Sequence, residues 1–123
     1  MDDLYQEHIL EHYRNPSHKG APEGNFLAYT AQNRLCGDEL TVFLSVEEGK
    51  IVHALFSGEG CALSQAAADI VCEEVEGKEV TDAAGLSPGD VYDMIGVPVT
   101  PARAACALLG YEAVQGALRK KHA

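Results

Sequence analysis

Residues 39–60 read ELTVFLSVEEGKIVHALFSGEG. Leu40, Val42, Leu44 and Val46 fall at every second position, with Thr41, Phe43 and Ser45 between them. A period of two puts the first set on one face of a strand and the second set on the other. The pattern breaks at EEGK, residues 47–50, where a glycine permits a tight reversal before a second apolar run. The stretch therefore predicts an antiparallel hairpin, around which the other elements can be ordered.

Upstream, NFLAYTAQNR (25–34) is a candidate first strand, preceded by the turn-rich NPSHKGAPEGN. MDDLYQEHILEHYRNP (1–16) reads as an amphipathic helix with Leu4, His8, Ile9, His12 and Tyr13 near one face, stopped by Pro16. Downstream, CALSQAAADIVCEEVEGK forms an alanine-rich helix ended at Gly77. EVTDAAGLSPGDVYDMIG predicts short helical pieces, with Ser87 as cap and Pro88 as first helical residue. Thr100–Pro101 repeats that device and opens a final helix through about Lys121. Helix, strands, then helices suit an α+β domain. A single domain over 1–123 is expected, with a small antiparallel three-stranded sheet, helices on one face and a long C-terminal helix.

The 123 residues suffice for a hydrophobic core, and 46% apolar with 23% charged residues is ordinary for a globular chain. Nineteen acids against nine Lys and Arg give a net charge of −10, which repels phosphate backbones and argues against nucleic acid. A bound cation or a basic protein partner is more compatible. Arg119, Lys120 and Lys121, the basic cluster, suit the end of a helix. No run approaches eighteen apolar residues, so no membrane span is expected. The acidic N-terminus is unlike a secretory signal. The default compartment is the cytoplasm, where four cysteines read as thiols or metal ligands rather than disulfides.

Three of those cysteines stand in suggestive settings. In RLCGDEL, Cys36 and Asp38 are two apart, so in extended backbone both project to one side. Gly37 between them lets the chain bend. The alternative is a small buried cysteine beside a turn. Cys61 follows Gly58 and Gly60 at a helix start, where the dipole favours negative charge on a ligand or nucleophile; it can equally be an ordinary helix-start residue. Cys106 has small neighbours in Ala102, Ala104, Ala105 and Ala107, so little bulk on its own helix shields its sulfur; the alternative is close packing on another helix. Cys72 lies three helical turns beyond Cys61, about 16 Å away, and is read as core. His8 and His12 are read as a packed or interfacial stripe, and His18 and His53 as surface or core residues. The chain lacks CxxC, GxxxxGK and HExxH, so the usual zinc-finger, phosphate-loop and metalloprotease readings lack support.

Read together, LYQEHILEHYRNPSHKG, CGDELTVFLSVEEGKIVHALFSGEGCALSQAAA and PARAACALLGYEAV resemble, over nearly the whole chain, the scaffold family of iron–sulfur cluster assembly: the IscU, SufU and NifU N-terminal proteins. Carried over residue by residue, the resemblance implies Cys36, Asp38, Cys61 and Cys106 as metal ligands. It implies a [2Fe–2S] cluster or Zn2+ at the site. It also implies a pyridoxal-phosphate cysteine desulfurase and cluster-accepting apoproteins as partners. Cys36 and Cys106 become candidate persulfide acceptors, Cys106 in cluster building and Cys36 in zinc-dependent sulfur transfer. Arg103 becomes a candidate partner-binding residue or a pair for Asp38.

PAR before Cys106 resembles the SufU branch, but the long insert of SufU proteins is missing. Ala105 stands where IscU proteins usually have histidine, and VPVTPAR replaces their Leu-Pro-Pro-Val-Lys. That departure counts against recognition by a specialised Hsp70 chaperone. Three functions remain open at this point: cluster scaffold, zinc-dependent sulfur-transfer protein and structural zinc module.

Overall fold

The computed structural model describes residues 3–34, 37–96 and 98–121, with the side chains of 3–6 and 121 excepted. The chain folds as α1 (Asp3–Arg14), β1 (Leu27–Asn33), β2 (Asp38–Glu47), β3 (Lys50–Glu59), α2 (Ala62–Val75), α3 (Val80–Ala84), α4 (Pro88–Ile95) and α5 (Ala104–Lys121). A short 3-10 turn over Pro101–Arg103 precedes α5. The sheet is antiparallel in the order β1-β2-β3. Helices α2 and α5 pack on one face of it, and α1 lies on α2. This is the expected α+β architecture.

The hairpin reverses at Glu48 (φ 51°) and Gly49 (φ 77°). Positive φ at both central residues matches the right-handed twist of the flanking strands, and glycine accepts it without a Cβ clash. Leu40, Val42 and Leu44 are buried as the alternation requires. The simple period fails at a bulge between Ser45 and Val46: Ser45 faces His53 while Val46 faces Ile51. The extra residue on β3 shifts the phase, so Ile51, Ala54 and Phe56 point inward and His53 is exposed. The far edge of β3 is covered at both ends, by Lys78 against Ile51 and by His18 and Gly20 against Phe56.

Alanines make the helical layer thin. Ala66, Ala67, Ala68, Ala107, Ala113 and Ala117 are all buried. A Cβ on Gly110 would sit 2.7 Å from the Ala68 Cα, so α5 crosses α2 with the two backbones close together. Cys72 lies fully buried in α2, as expected. Burial pushes its thiol up, with the Asp69 and Glu76 carboxylates adding to the effect.

Helix α1 docks differently from expectation. Ile9 packs toward the core, but Tyr13 is 42% exposed. The packed stripe is narrow because α1 has one helix to cover rather than a groove. A buried carboxylate anchors it instead: Asp69 of α2 takes His12 Nδ1 at 2.6 Å and the His18 backbone N–H at 2.9 Å. His8 stacks edge-on against His12. Ser87 and Asp90 form the expected cap of α4, and the Ser87 backbone N–H and hydroxyl hold the Asp90 carboxyl below its usual range. Thr100 differs, since its side chain makes no capping bond and Pro101 begins the 3-10 turn, so α5 starts at Ala104. Among the described residues no helix is long and apolar enough to cross a membrane.

Candidate metal centre

The end of the sheet opposite the Glu48–Gly49 turn gathers three element starts. Asp38 opens β2, opposite Asn33 at the end of β1. Cys61 follows β3 and caps α2, and Cys106 is the third residue of α5. One carboxylate oxygen of Asp38 and the sulfurs of Cys61 and Cys106 lie within 4.8 Å of one another. Ligands of a tetrahedral zinc, with Zn–S of about 2.3 Å, stand about 3.8 Å apart, so small side-chain rotations bring these three onto one ion. Two soft sulfurs and one hard oxygen suit zinc or an iron–sulfur cluster. The fourth candidate, Cys36, lies outside the described residues.

Local bonds hold each donor. Cys61 is the N-cap of α2 with extended backbone (φ −69°, ψ 169°), and its sulfur accepts the Ser64 N–H at 3.4 Å. Ser64 is fully buried, and its hydroxyl donates to the Cys61 carbonyl at 3.0 Å. The Cys61 N–H donates in turn to Asp38 Oδ2 at 3.4 Å. Asp38 is only 7% exposed, so its carboxylate needs partners such as this N–H or a bound cation. On the other side, Asn33 Nδ2 donates to Cys106 Sγ at 3.6 Å.

Gly60 makes this proximity possible. A Cβ there would collide with Ser64 Oγ and stand 3.3 Å from Asp38 Cγ. Gly60→Ala is therefore expected to push the Cys61 cap and Asp38 apart. A zinc-competition titration should read a loss of about 10–100-fold in affinity, the usual range for disturbing a ligand's supports.

Arg103 is exposed, and among the described residues it forms no ion pair with Asp38. It sits in the 3-10 turn ahead of α5. Asn33 was not singled out by sequence, and Gly60 and Ser64 were read only as part of the helix start at Cys61. For Ser64 a signal existed, since Cys61-x-x-Ser64 has the spacing of a helix cap.

The donor geometry sits on a chain that matches the family described as "NifU-like N terminal domain" over residues 4–122. The chain belongs to that family. It is 28% identical to a zinc-dependent sulfurtransferase SufU of Bacillus subtilis, covering 98% of this chain and 93% of that protein. It is 30% identical to an iron–sulfur cluster assembly scaffold protein IscU of Thermotoga maritima, covering 95% and 94%. Among solved structures, a putative iron–sulfur cluster assembly scaffold protein for the SUF system from Fervidobacterium islandicum superposes with TM-score 0.76. Its identity is 26%, covering 94% of this chain and 97% of that one. A nitrogen-fixing NifU-like N-terminal protein from Brucella abortus gives TM-score 0.79 at 25% identity, covering 98% and 96%. The family is that of the IscU and SufU scaffolds of iron–sulfur cluster assembly.

Proposed function

We propose that this chain accepts sulfur from a cysteine desulfurase and assembles a [2Fe–2S] cluster on Cys36, Asp38, Cys61 and Cys106 for transfer to acceptor apoproteins. The convergence of Asp38, Cys61 and Cys106 at one end of the sheet carries this reading. Sulfur enters by thiol exchange. The Cys106 thiolate attacks the outer sulfur of the desulfurase's cysteine persulfide. One S–S bond forms on Cys106 as the desulfurase's own S–S bond breaks, releasing its cysteine as a thiolate. This exchange balances by itself; building the cluster then takes two iron ions and, for each sulfur, two electrons from an external reductant that turn the sulfane sulfur into sulfide.

Asp38 has a distinct part. Iron–sulfur clusters are held mainly by thiolates, and a carboxylate is a harder and weaker donor to them. One oxygen corner leaves the cargo easier to release. Asp38→Ala is expected to slow cluster transfer about tenfold, roughly 1.4 kcal/mol in the barrier. The rate of cluster appearance in an apo-ferredoxin measures it, and an unchanged rate contradicts the role.

A second reading, zinc-dependent sulfur transfer, is favoured by the PAR segment and by Ala105 in place of a histidine beside Cys106. The same four donors would hold Zn2+, which supplies charge stabilisation to their thiolates, and Cys36 would be the sulfur acceptor. Transfer of labelled sulfane sulfur from a desulfurase persulfide to apo, zinc and iron forms separates the readings. Brown anaerobic protein that donates its cluster supports the scaffold. Colourless zinc protein carrying persulfide on Cys36 supports sulfur transfer. Stoichiometric zinc without any persulfide contradicts both and leaves a structural zinc module.

A further inference from the structure

The side-chain amide of Asn33 reaches the Cys106 sulfur, with Nδ2 3.6 Å from Sγ. It ends β1 and pairs with Asp38 across the ladder, so the strand register fixes its distance from the site. Its neighbours on the strand are tied down as well: Gln32 donates to Glu39 at 2.9 Å. Asn33 also lines an open cavity of about 240 Å3 with Gln32, Arg34, Gly37, Asp38 and Glu39. It thus lines the same cavity as Asp38 while its amide reaches the sulfur of Cys106.

We infer that Asn33 is a positioning residue that holds Cys106 Sγ toward Asp38 and Cys61 by an N–H···S bond and withdraws electron density from that sulfur. The inference rests on the metal reading above and adds a residue that reading does not contain. Outer partners of this kind orient a ligand atom and set the donor strength of the sulfur. Removing the donor leaves Cys106 free to rotate and makes its sulfur a stronger electron donor to a metal. An aspartate in its place reverses the contact, setting an acceptor and a negative charge against the thiolate.

The test uses the full chain loaded with Co2+ and, separately, Zn2+. Asn33→Leu keeps the side-chain size and removes the donor; Asn33→Gln keeps the amide; Asn33→Asp reverses it. Expected for Asn33→Leu is a Zn2+ affinity lower by about 10-fold or more, with the sulfur-to-cobalt charge-transfer band shifted to longer wavelength. Asn33→Asp should lose more affinity than Asn33→Leu, and Asn33→Gln should recover part of both signals. Asn33→Leu and Asn33→Asp that match the parent in affinity and band position overturn the role of Asn33 alone. If Asn33→Leu does not fold, the Asn33→Gln and Asn33→Asp pair decides, and equal spectra overturn the inference. A parent chain that binds neither metal overturns the metal reading and this inference with it.

Discussion

Cys106→Ser is expected to lower zinc affinity by more than about 100-fold, since disturbing even an outer partner of a ligand costs about 10–100-fold. It should also abolish persulfide formation where Cys106 is the acceptor. The hydroxyl is a poor donor to a soft ion, and the three remaining donors cannot close the site. The fold should survive, because Cys106 is only half-buried at the first turn of α5. Chelator competition measures affinity, and mass spectrometry after incubation with a charged desulfurase reads the persulfide. Cys72→Ser is the informative contrast. Cys72 is fully buried, and burial keeps its thiol protonated, so it neither competes for metal nor accepts sulfur. Its loss should reduce stability while leaving metal affinity intact. Reversal of the two phenotypes contradicts the assignment.

Phe56→Ala is expected to destabilise the apo chain by about 3–5 kcal/mol. Phe56 is fully buried between the sheet and the helical layer. The layer beneath it is built largely from alanines, which have no spare volume to fill the gap. A domain of this size has about 5–15 kcal/mol in total, so the variant should melt roughly 10–20 °C lower. The functional consequence follows from connectivity. Phe56 lies five residues before Cys61, in the strand that delivers the α2 N-terminus to the site. Metal affinity should fall with it, and calorimetry with and without zinc should show ligand binding recovering part of the lost stability.

Several of these features were legible in the sequence for physical reasons. The alternation of Leu40, Val42 and Leu44 with Thr41 and Phe43 reports a sheet with one covered face, and period two survives any tertiary arrangement. Cys61 after two glycines reports a helix start for the same reason: capping is local chemistry. The bulge at Ser45–Val46 was not legible, because IVHALF offers no residue that forces an extra position on β3. Buried Asp69 was hidden too. A charged residue inside ALSQAAADIV looks like the wet face of a helix until His12 and the His18 backbone arrive from elsewhere in the chain. Asn33 and Cys106 are 73 positions apart, and nothing in either neighbourhood announces the other. The resemblance to cluster scaffolds named the donors, but the proximity of Asp38, Cys61 and Cys106 comes from the strand register and the close α2–α5 crossing at Gly110 and Ala68.

X-ray absorption at the zinc edge of the stoichiometrically loaded chain tests the shared site most directly. Three sulfurs at about 2.3 Å and one lighter atom at about 2.0–2.2 Å are the result expected of Cys36, Asp38, Cys61 and Cys106 around one ion. A first shell made of oxygen and nitrogen alone, or one that keeps three sulfurs in Cys106→Ser, would contradict it.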